Sequence, residues 1–319
     1  DKALKSIREQ SIDEGEIEVL IIDGGSTDAT IDIAKKYNAI ILFNEKRLPE
    51  YAKSIGILNA KGRYIIEQDS DEVYLYSDQI EKRIELLTTN PKVKCILADK
   101  LIAPKNYSFA CAYLNTFGDP FSCFVYKNKG STTENNVKNI DIYRNGGFIF
   151  KFDKEDILPI GDGGTTTMDL DFVRENFPEK IHEKSFASTI FDDIVEKSGY
   201  VACIKNDNIL HYSEASLINY FKKLRFRVIS NIFDKKGSGF SSRSINNNKL
   251  NKRKYLYLLY CASIVFPIYD SIRFSIKFCD VSYLMHFIYS YYVLFEILIQ
   301  YLFKLLGLKL VNGAYGSLK

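Results

Sequence analysis

Residues 17–28 have the sequence IEVLIIDGGSTD, in which an apolar run is followed by glycines and then by small polar residues. Its β-branched run, Ile17–Ile22, predicts a buried strand, and Asp23-Gly24-Gly25 predicts a tight turn where that strand ends. The next three residues, Ser26-Thr27-Asp28, are typical of a helix N-terminus, so we predict a helix over residues 29–37. A strand, a tight turn and a helix in succession are the repeating unit of α/β sheets.

The same alternation continues to residue 98. Apolar runs predict further strands at residues 39–43, 63–67 and 94–98, and helical patterns lie between them at residues 51–60 and 77–88. Such alternation implies an α/β domain with a mainly parallel, buried sheet and helices on both faces.

Two glycine-rich segments follow in the second part of the domain. Residues 145–151 predict a strand that the chain enters through Gly146 and Gly147. Residues 161–167, GDGGTTT, predict a loop whose backbone N–H groups and three hydroxyls suit an acceptor's phosphate. The alternative is a loop that binds nothing.

The charge balance argues against a nucleic-acid-binding protein. Lys and Arg number 43 against 40 Asp and Glu, which gives a net charge of only +3. The cysteines lack C-x-x-C pairs and metal-finger spacing, so we expect reduced thiols that pack as small apolar groups. These cysteines are Cys95, Cys111, Cys123, Cys203, Cys261 and Cys279.

The C-terminal part predicts an association with a membrane. A basic amphipathic helix at residues 216–232, suited to lipid headgroups or an anionic acceptor, precedes a polar, basic linker at residues 234–254. An apolar tail then covers residues 255–319. Its run Val281–Phe303 is long enough to span a bilayer, whereas Tyr255–Tyr269 suits a short span, a re-entrant piece or an interfacial helix. A buried helical hairpin of a soluble protein is the alternative.

Acidic turns stand at the ends of two predicted strands. Ligands of open α/β sheets bind beyond the carboxyl ends of the strands, so Asp23 and the triplet Asp69-Ser70-Asp71 should face one crevice. Two carboxylates separated by one residue can bind a divalent cation. Such a cation would neutralise the charge of a departing diphosphate.

The order of these motifs resembles that of the family 2 inverting glycosyltransferases. The similarity is carried by Asp23-Gly24-Gly25-Ser26-Thr27-Asp28, Ala52-Lys53-Ser54-Ile55-Gly56, Ala60-Lys61-Gly62-Arg63-Tyr64 and Asp69-Ser70-Asp71-Glu72. It implies the GT-A fold, a Rossmann-like three-layer domain of nucleotide-diphospho-sugar transferases. Here that domain would cover residues 1–233, with a donor half at 1–100 and an acceptor half at 101–233.

The resemblance also implies the site residues. Asp69 and Asp71 would bind Mg²⁺ or Mn²⁺. The residues expected to contact the nucleotide-sugar donor are Asp23, Gly24, Gly25, Asp28, Lys53, Asp69 and His211. His211 enters this set because the family often has a histidine near the donor phosphates, about twelve residues after the Gly-Tyr pair.

Two departures from the family pattern limit this transfer of roles. Gly24 stands where many members have a second Asp that contacts the base, so the nucleotide is left open. The family's usual first strand, which ends in a Pro-x-Tyr-Asn-like segment, is not found before residue 17. We therefore expect either that the sequence is N-terminally incomplete or that nucleotide binding is impaired.

The catalytic base is less well matched. An inverting displacement needs a carboxylate that takes the acceptor's proton, and the family usually supplies it about ten residues before a Gly-Tyr pair, here Gly199-Tyr200. Asp193 is the first choice for the base, because it shares a helix face with the residue at that spacing, and Asp192 is the second. Asp169 and Asp171 are rivals.

The sequence thus predicts a metal-dependent glycosyltransferase. It would move a sugar, with inversion, from a nucleotide-diphosphate donor to a lipid-linked or polysaccharide acceptor of the cell envelope. Basic residues around the apolar runs predict a membrane protein whose catalytic domain is cytoplasmic. The alternatives are transfer onto polyprenyl phosphate, a catalytically silent membrane-bound partner, and a soluble nucleotidyltransferase.

Overall fold

Strands and helices alternate along the first hundred residues, as the sequence predicts. The structure is a computed structural model that describes residues 1–144, 146–160, 164–183, 186, 189–233 and 248–308. The strands are β1 Leu20–Asp23, β2 Ile40–Phe43, β3 Tyr64–Glu67, β4 Glu72–Tyr74, β5 Cys95–Leu97, β6 Lys100–Ile102, β7 Ile140–Arg144, β8 Gly147–Lys151, β9 Thr166–Asp169, β10 Tyr200–Ile204 and β11 Asn208–His211. The α-helices are α1 Lys2–Arg8, α2 Thr30–Lys36, α3 Pro49–Asn59, α4 Gln79–Thr89, α5 Phe109–Phe117, α6 Pro120–Tyr126, α7 Thr132–Asn135, α8 Leu170–Asn176, α9 Ile190–Ser198, α10 Leu217–Phe233, α11 Asn248–Ala262, α12 Val265–Phe278 and α13 His286–Leu305.

The α/β class is confirmed, but the prediction of a mainly parallel sheet is wrong. The largest sheet has the order β3-β9-β5-β10-β8-β7. Only β5 and β10 are parallel in it, and the other four pairs are antiparallel. β1 and β2 do pair in parallel, as a separate two-stranded sheet, and β4, β11 and β6 form a third sheet.

Strand β9 is the main reason for the difference. It lies between β3 and β5 and pairs with both in antiparallel direction, with Met168 opposite Ile65 on one side and Cys95 on the other. Its residues Thr166 and Thr167 belong to the segment predicted as a loop. Threonine is β-branched and fits a strand, and both residues are fully buried. Residues 161–163 of the predicted loop lie outside the described residues.

The chain divides into two compact units. Unit 1 comprises Asp1–Leu101 and Thr132–His211, and unit 2 comprises Ile102–Ser131 with the chain from Tyr212 onward. The core of unit 1 consists of apolar side chains of the large sheet and of helices α3, α8 and α9. This division differs from the predicted domain of residues 1–233, because α5, α6 and α10 belong to unit 2 together with α11, α12 and α13.

Aromatic side chains form the core of unit 2. Tyr113 and Phe117 of α5 pack with Tyr220 of α10 and with Tyr289 of α13. Helix α10 has a buried apolar face that includes Leu224, which explains why it packs with the C-terminal helices. Most of the basic residues on its other face are engaged in ion pairs within unit 2. These pairs are Lys223–Glu214 at 3.2 Å, Arg225–Glu296 at 3.8 Å and Arg227–Asp119 at 3.2 Å.

The apolar tail is broken where the sequence predicts one run. Residues 255–269 are divided between α11 and α12, which are bent by 93° at Ser263 and Ile264. Ile264 has a φ of 59°, and Pro267 lies in the first turn of α12, where its missing N–H has no helical acceptor. The segment Val281–Leu305 is long and apolar enough to cross a bilayer, and 39% of its most apolar stretch is buried within the protein. Core helices of soluble proteins share these properties.

The six cysteines all lie within the described residues, and none of them forms a disulfide there. Cys279, directly after α12, is exposed, and the other five are buried.

Candidate functional site

The first acidic turn is closed by its own carboxylate. At the end of β1, Asp23 accepts hydrogen bonds from the N–H of Gly25 at 2.7 Å and from the hydroxyl of Ser26 at 2.5 Å. The Ser26 hydroxyl and the backbone N–H groups of Gly25 and Ser26 lower the pKa of Asp23, so the carboxylate is ionised at neutral pH. Gly25 has a φ of +95°, which a side chain would strain.

Arg47 lies beside this turn and is absent from the predicted site. Its Nη2 would be 3.3 Å from a Cβ on Gly25, and its charge contributes to the lowered pKa of Asp23. Asp28 is exposed and accepts a hydrogen bond from the N–H of Thr30 at the start of α2, which lowers its pKa together with the Thr30 hydroxyl. The turn thus presents an arginine and two ionised carboxylates.

Lys53 is held by a buried carboxylate. Its Nζ on α3 lies 2.9 Å from Oε2 of Glu67 on β3, and both side chains are largely buried. Burial raises the pKa of Glu67, and the charge of Lys53 opposes that shift. Among the described residues no hydrogen-bond partner reaches the second oxygen of Glu67, Oε1, although it is buried.

The Asp-x-Asp segment forms a tight turn between β3 and β4. The N–H of Glu72 donates to the carbonyl of Asp69 at 3.0 Å, which brings the two strand ends together. Burial, and then the neighbouring charge of Asp71, raises the pKa of Asp69. Asp71 is more exposed, with a side chain that is 40% accessible.

Strand pairing brings His211 to this turn. β11 pairs with β4 so that His211 stands opposite Glu72, and its Nε2 lies 3.5 Å from Oδ2 of Asp71. Burial disfavours a charged ring, but the hydrogen bond and charge of Asp71, with the charges of Glu72 and Asp69, raise the pKa of His211 above its ordinary value. The structure thus places His211 beside the Asp-x-Asp segment, and its contact with a donor phosphate stays a prediction.

Glu72 joins the acidic turn to the glycine-threonine segment. Its buried carboxylate accepts hydrogen bonds from the N–H groups of Asp69, Gly164 and Thr165 at 3.0, 2.8 and 3.2 Å. Burial and the charge of Asp69 raise its pKa to about 7. Because Gly164 and Thr165 donate to Glu72, their N–H groups are not available to an acceptor's phosphate, contrary to the prediction for this loop.

A buried ion pair lies next to the glycine-threonine segment and stabilises it. Nε of Arg83 on α4 lies 2.7 Å from Oδ2 of Asp207, and neither side chain reaches solvent. Arg83 also donates to the carbonyl of Thr165 and, at 3.2 Å, to the hydroxyl of Thr167. The start of β9 is thus fixed by side chains that the sequence motifs do not include.

The two candidates for the base have different surroundings on α9. Asp193 lies 2.9 Å from Nζ of Lys180 and accepts a hydrogen bond from the Thr189 hydroxyl at 2.9 Å. Asp192 is mostly buried, and burial, with the charges of Glu196 and Asp193, raises its pKa to about 7. A carboxylate with that pKa can take a proton at neutral pH.

The rival carboxylates have structural partners. Asp169 accepts from the N–H of Phe172 at the start of α8 and lies 2.8 Å from Nζ of Lys94. Asp171 lies 3.2 Å from Nη1 of Arg174 on the same helix. Both are therefore weaker candidates for the base than Asp192.

The donor set of the acidic turn fits a divalent cation. Asp69 and Asp71 offer hard oxygen ligands, and the raised pKa of Asp69 reflects burial and repulsion that a bound cation would offset. Within the described part of the chain no group of three or more His, Cys, Asp or Glu side chains is arranged to hold a metal. Oxygens of a bound ligand would have to complete the coordination.

A cavity of about 540 Å³ lies elsewhere in unit 1. Its lining includes the N-terminus of α4 and the segment between β10 and β11, but neither Asp69 nor Asp71. We place the candidate site at the second acidic turn, Asp69–Asp71, because the charged side chains of Lys53, Glu72 and His211 lie around it.

The chain has recognisable relatives. Residues 1–155 match the model of the family described as "Glycosyl transferase family 2". An uncharacterized glycosyltransferase of Rickettsia conorii is 39% identical over 93 residues, which cover 28% of this chain and 15% of that protein. One of Haemophilus influenzae is 33% identical over 84 residues, which cover 23% of this chain and 32% of that protein. The matched stretches are thus less than a third of these relatives' lengths.

Solved structures are similar at low identity. The mannosyltransferase PcManGT of Pyrobaculum calidifontis, in complex with GDP-Man and Mn²⁺, aligns with a TM-score of 0.49 and 12% identity, over 94% of this chain and 82% of that one. S. aureus TarS 1–349 in complex with UDP-GlcNAc aligns with a TM-score of 0.43 and 13% identity, over 80% and 68% of the two chains.

Proposed function

We propose, from the match of residues 1–155 to the family described as "Glycosyl transferase family 2", that the protein transfers a sugar from a nucleotide-diphosphate donor to an acceptor, with inversion. The observation that carries the proposal is the acidic turn Asp69–Asp71. It lies within the matched residues, and Lys53, Glu72 and His211 surround it with buried charge. We also propose that unit 1 has the GT-A fold.

The donor would be bound by the two acidic turns of unit 1. Asp23, Gly24, Gly25 and Asp28 form the first turn, and Arg47 adds a positive charge there. Asp69 and Asp71 would hold Mg²⁺ or Mn²⁺, which supplies charge neutralisation for the departing nucleoside diphosphate when bound. His211 would bind a phosphate oxygen, because its raised pKa favours the charged ring. Lys53 would orient the buried Glu67 carboxylate and stabilise its negative charge on the buried side of the site.

Asp192 is the proposed base, which reverses the order of preference drawn from the sequence. Asp193 is engaged in an ion pair with Lys180, whereas Asp192 has a pKa of about 7. In the reaction the acceptor oxygen bonds to the sugar's anomeric carbon, the bond from that carbon to the diphosphate oxygen breaks, and Asp192 takes the acceptor's hydroxyl proton. The leaving diphosphate carries away the electron pair.

The acceptor is proposed to be membrane-associated, either lipid-linked or a cell-envelope polysaccharide. The supporting observation is the candidate span Val281–Leu305 with the apolar helices α11 and α12. The catalytic unit would lie on the cytoplasmic side, because basic residues cluster in the first part of α11 and occur again on α12.

The test is calorimetric titration with UDP, GDP and dTDP, each with and without Mn²⁺. We expect one nucleotide to bind in a metal-dependent manner, binding to be lost in Asp71→Asn, and binding to persist in the control Asp32→Asn, which changes an exposed carboxylate on α2. Absence of metal-dependent binding to all three nucleotides in the folded protein would refute the proposal and favour a silent partner.

A further inference from the structure

Helix α12 has an apolar face that unit 2 does not cover. Pro267, Ser271 and Phe274 are buried on one side. The opposite side carries apolar side chains at intervals of four, three and four residues, which places them on one helix face. These exposed residues are Val265, Tyr269, Ile272 and Ile276, and we call them the α12 stripe. Ile276 is 72% exposed and Val265 is 68% exposed.

The exposed apolar surface continues around the bend between the helices. Ile264 and Phe266 at the bend are both 59% exposed, and Leu259 at the end of α11 is 67% exposed. A contiguous patch of this kind is unusual on a surface that faces water and marks an interaction site. The patch belongs to unit 2 and is separate from the acidic turns.

The length of α12 decides how it can meet a bilayer. Fourteen residues give a helix on the order of 21 Å, which is shorter than the hydrocarbon core of about 30 Å. The 93° bend prevents α11 and α12 from forming one straight span. A short helix with an apolar outer face suits the interfacial region, where it lies parallel to the membrane.

Cations line one edge of the stripe. Arg273 and Lys277 are one helical turn apart on α12, and with Lys127 and Lys129 they surround a cavity of about 260 Å³ in unit 2. Asp270 is the carboxylate in the cavity lining, and it lies 2.8 Å from Nη2 of Arg273. Four positive charges against one negative charge favour an anion of phosphate size.

These cations are held in place by their neighbours. The Arg273 guanidinium lies 4.6 Å from the centre of the Phe274 ring, and the Lys277 ammonium lies 5.1 Å from that of Phe278. Nζ of Lys277 also donates to the carbonyl of Lys129 at 2.5 Å, which connects the two sides of the cavity. The charge is therefore presented at a defined position beside the stripe.

We propose that α12 lies in the interface of a lipid bilayer, with the stripe in the acyl region and the cavity of Lys127, Lys129, Arg273 and Lys277 around the phosphate of an anionic lipid. The partner is a lipid surface because the apolar stripe and the row of cations lie side by side on α12, as an acyl layer next to a phosphate layer requires. Helix α10 is a poorer candidate, since three of its cations are paired within unit 2. The proposal is independent of sugar transfer.

The experiment uses the full chain reconstituted in bilayers and a fluorophore on Ile276→Cys in a Cys279→Ser background. Labelling is selective because the other five cysteines are buried. We expect lipids brominated in the acyl chain to quench this fluorophore, and iodide in the water to have little effect. In the control Lys35→Cys the fluorophore stands at an exposed position of α2, where iodide alone should quench it. Quenching of the Ile276 label by iodide but not by brominated lipid would overturn the proposal, and protection from both quenchers would indicate a protein partner instead.

A second arm tests the cavity. The bromine is placed on phosphatidylglycerol or on phosphatidylcholine at equal mole fraction, and the two quenching efficiencies are compared. We expect the anionic lipid to be preferred, and Arg273→Gln/Lys277→Gln to lower that preference by roughly 30-fold, since each cation near the surface is worth about 1 kcal/mol. Lys35→Gln/Lys36→Gln should leave it unchanged. An unchanged preference in the Arg273/Lys277 variant would overturn the assignment of the cavity.

Discussion

Neighbouring groups decide the chemistry of each carboxylate in unit 1. Asp192 and Asp193 are adjacent in the chain, yet Asp193 faces Lys180 and Thr189, whereas Asp192 is mostly buried. The sequence identifies both as candidates because it shows helical spacing. It ranks Asp193 first on helical spacing alone, because the ion pair with Lys180 and the burial of Asp192 are properties of the folded chain.

Replacing Asp192 by Asn should lower the transfer rate by roughly 10²- to 10⁴-fold, the usual contribution of a general base. The acid form of Asp192 predominates below its pKa of about 7, so in the wild type kcat/KM should rise with pH through that value. The measurement is a pH–rate profile with donor and acceptor at fixed concentrations.

Asp193→Asn is the matched control, and it should retain most of the rate and the same rise with pH. Loss of activity in Asp193→Asn with full activity in Asp192→Asn would reverse the assignment. Full activity in both variants would favour an acceptor that is already ionised, such as a polyprenyl phosphate.

Changing Glu72 to Gln should destabilise unit 1 by about 1–3 kcal/mol, because an amide NH₂ would face N–H donors that now reach a carboxylate. Its oxygens accept from Asp69, Gly164 and Thr165. Thermal unfolding followed by circular dichroism measures the loss. The control Glu85→Gln changes an exposed carboxylate on α4 and should leave the midpoint within error. A midpoint equal to that of the wild type in Glu72→Gln would contradict this role.

At the scale of elements, the local apolar pattern predicts those strands and helices that do not depend on distant partners. Apart from β4, the strands and helices from β1 to β5 follow the apolar periodicity, and their bounds differ from the predicted ones by a few residues. β4 and β9 are not predicted, because Glu72–Tyr74 is short and Thr166–Asp169 follows glycines. Their strand character depends on partners far away in the chain, such as His211 for Glu72 and Cys95 for Met168.

The segment after α6 offers a test of packing in unit 2. Gly130 has a φ of +99°, and a Cβ there would lie 2.5 Å from Cζ of Phe278. Gly130→Ala should therefore destabilise unit 2 by roughly 1–3 kcal/mol or more through overpacking and backbone strain. Chemical denaturation followed by tyrosine fluorescence gives the change.

Gly118→Ala is the control for backbone strain alone. Gly118 has a similar positive φ of +73°, but the nearest atom to its Cβ is Nη1 of Arg227 at 3.6 Å. We expect a smaller loss than at Gly130. Equal losses in the two variants would mean that the Phe278 contact adds nothing to the cost.

At the scale of the whole molecule, the boundary that composition suggests and the division into two packed units do not coincide. The linker at residues 234–254 and the apolar tail suggest a domain that ends at residue 233. The structure instead packs α10 with α13, through side chains such as Tyr220 and Tyr289. A change in composition shows where the chain becomes more polar or more apolar. It does not show which earlier helices the apolar segment packs against.

A chain that ends at residue 233 should therefore fail as a soluble domain. It would expose the apolar side of α10, which includes Leu224 and Val228, and the aromatic side chains of α5. We expect aggregation or a large loss of soluble yield relative to the full chain in the same detergent, measured by size-exclusion chromatography. A monodisperse, folded fragment would show that unit 2 does not need its C-terminal helices.

The discontinuous build of unit 2 has a consequence for biosynthesis. Tyr113 of α5 leaves the ribosome long before Tyr289, the ring that covers it at a centroid distance of 4.9 Å. At translation rates of about 5–20 residues per second this interval lasts roughly ten to thirty seconds. The segments of unit 1 end at His211, so all of them are synthesised before Tyr289. We therefore expect the nascent chain to pass through a stage in which the aromatic rings of α5 are still uncovered, and this is the stage at which chaperones should be needed.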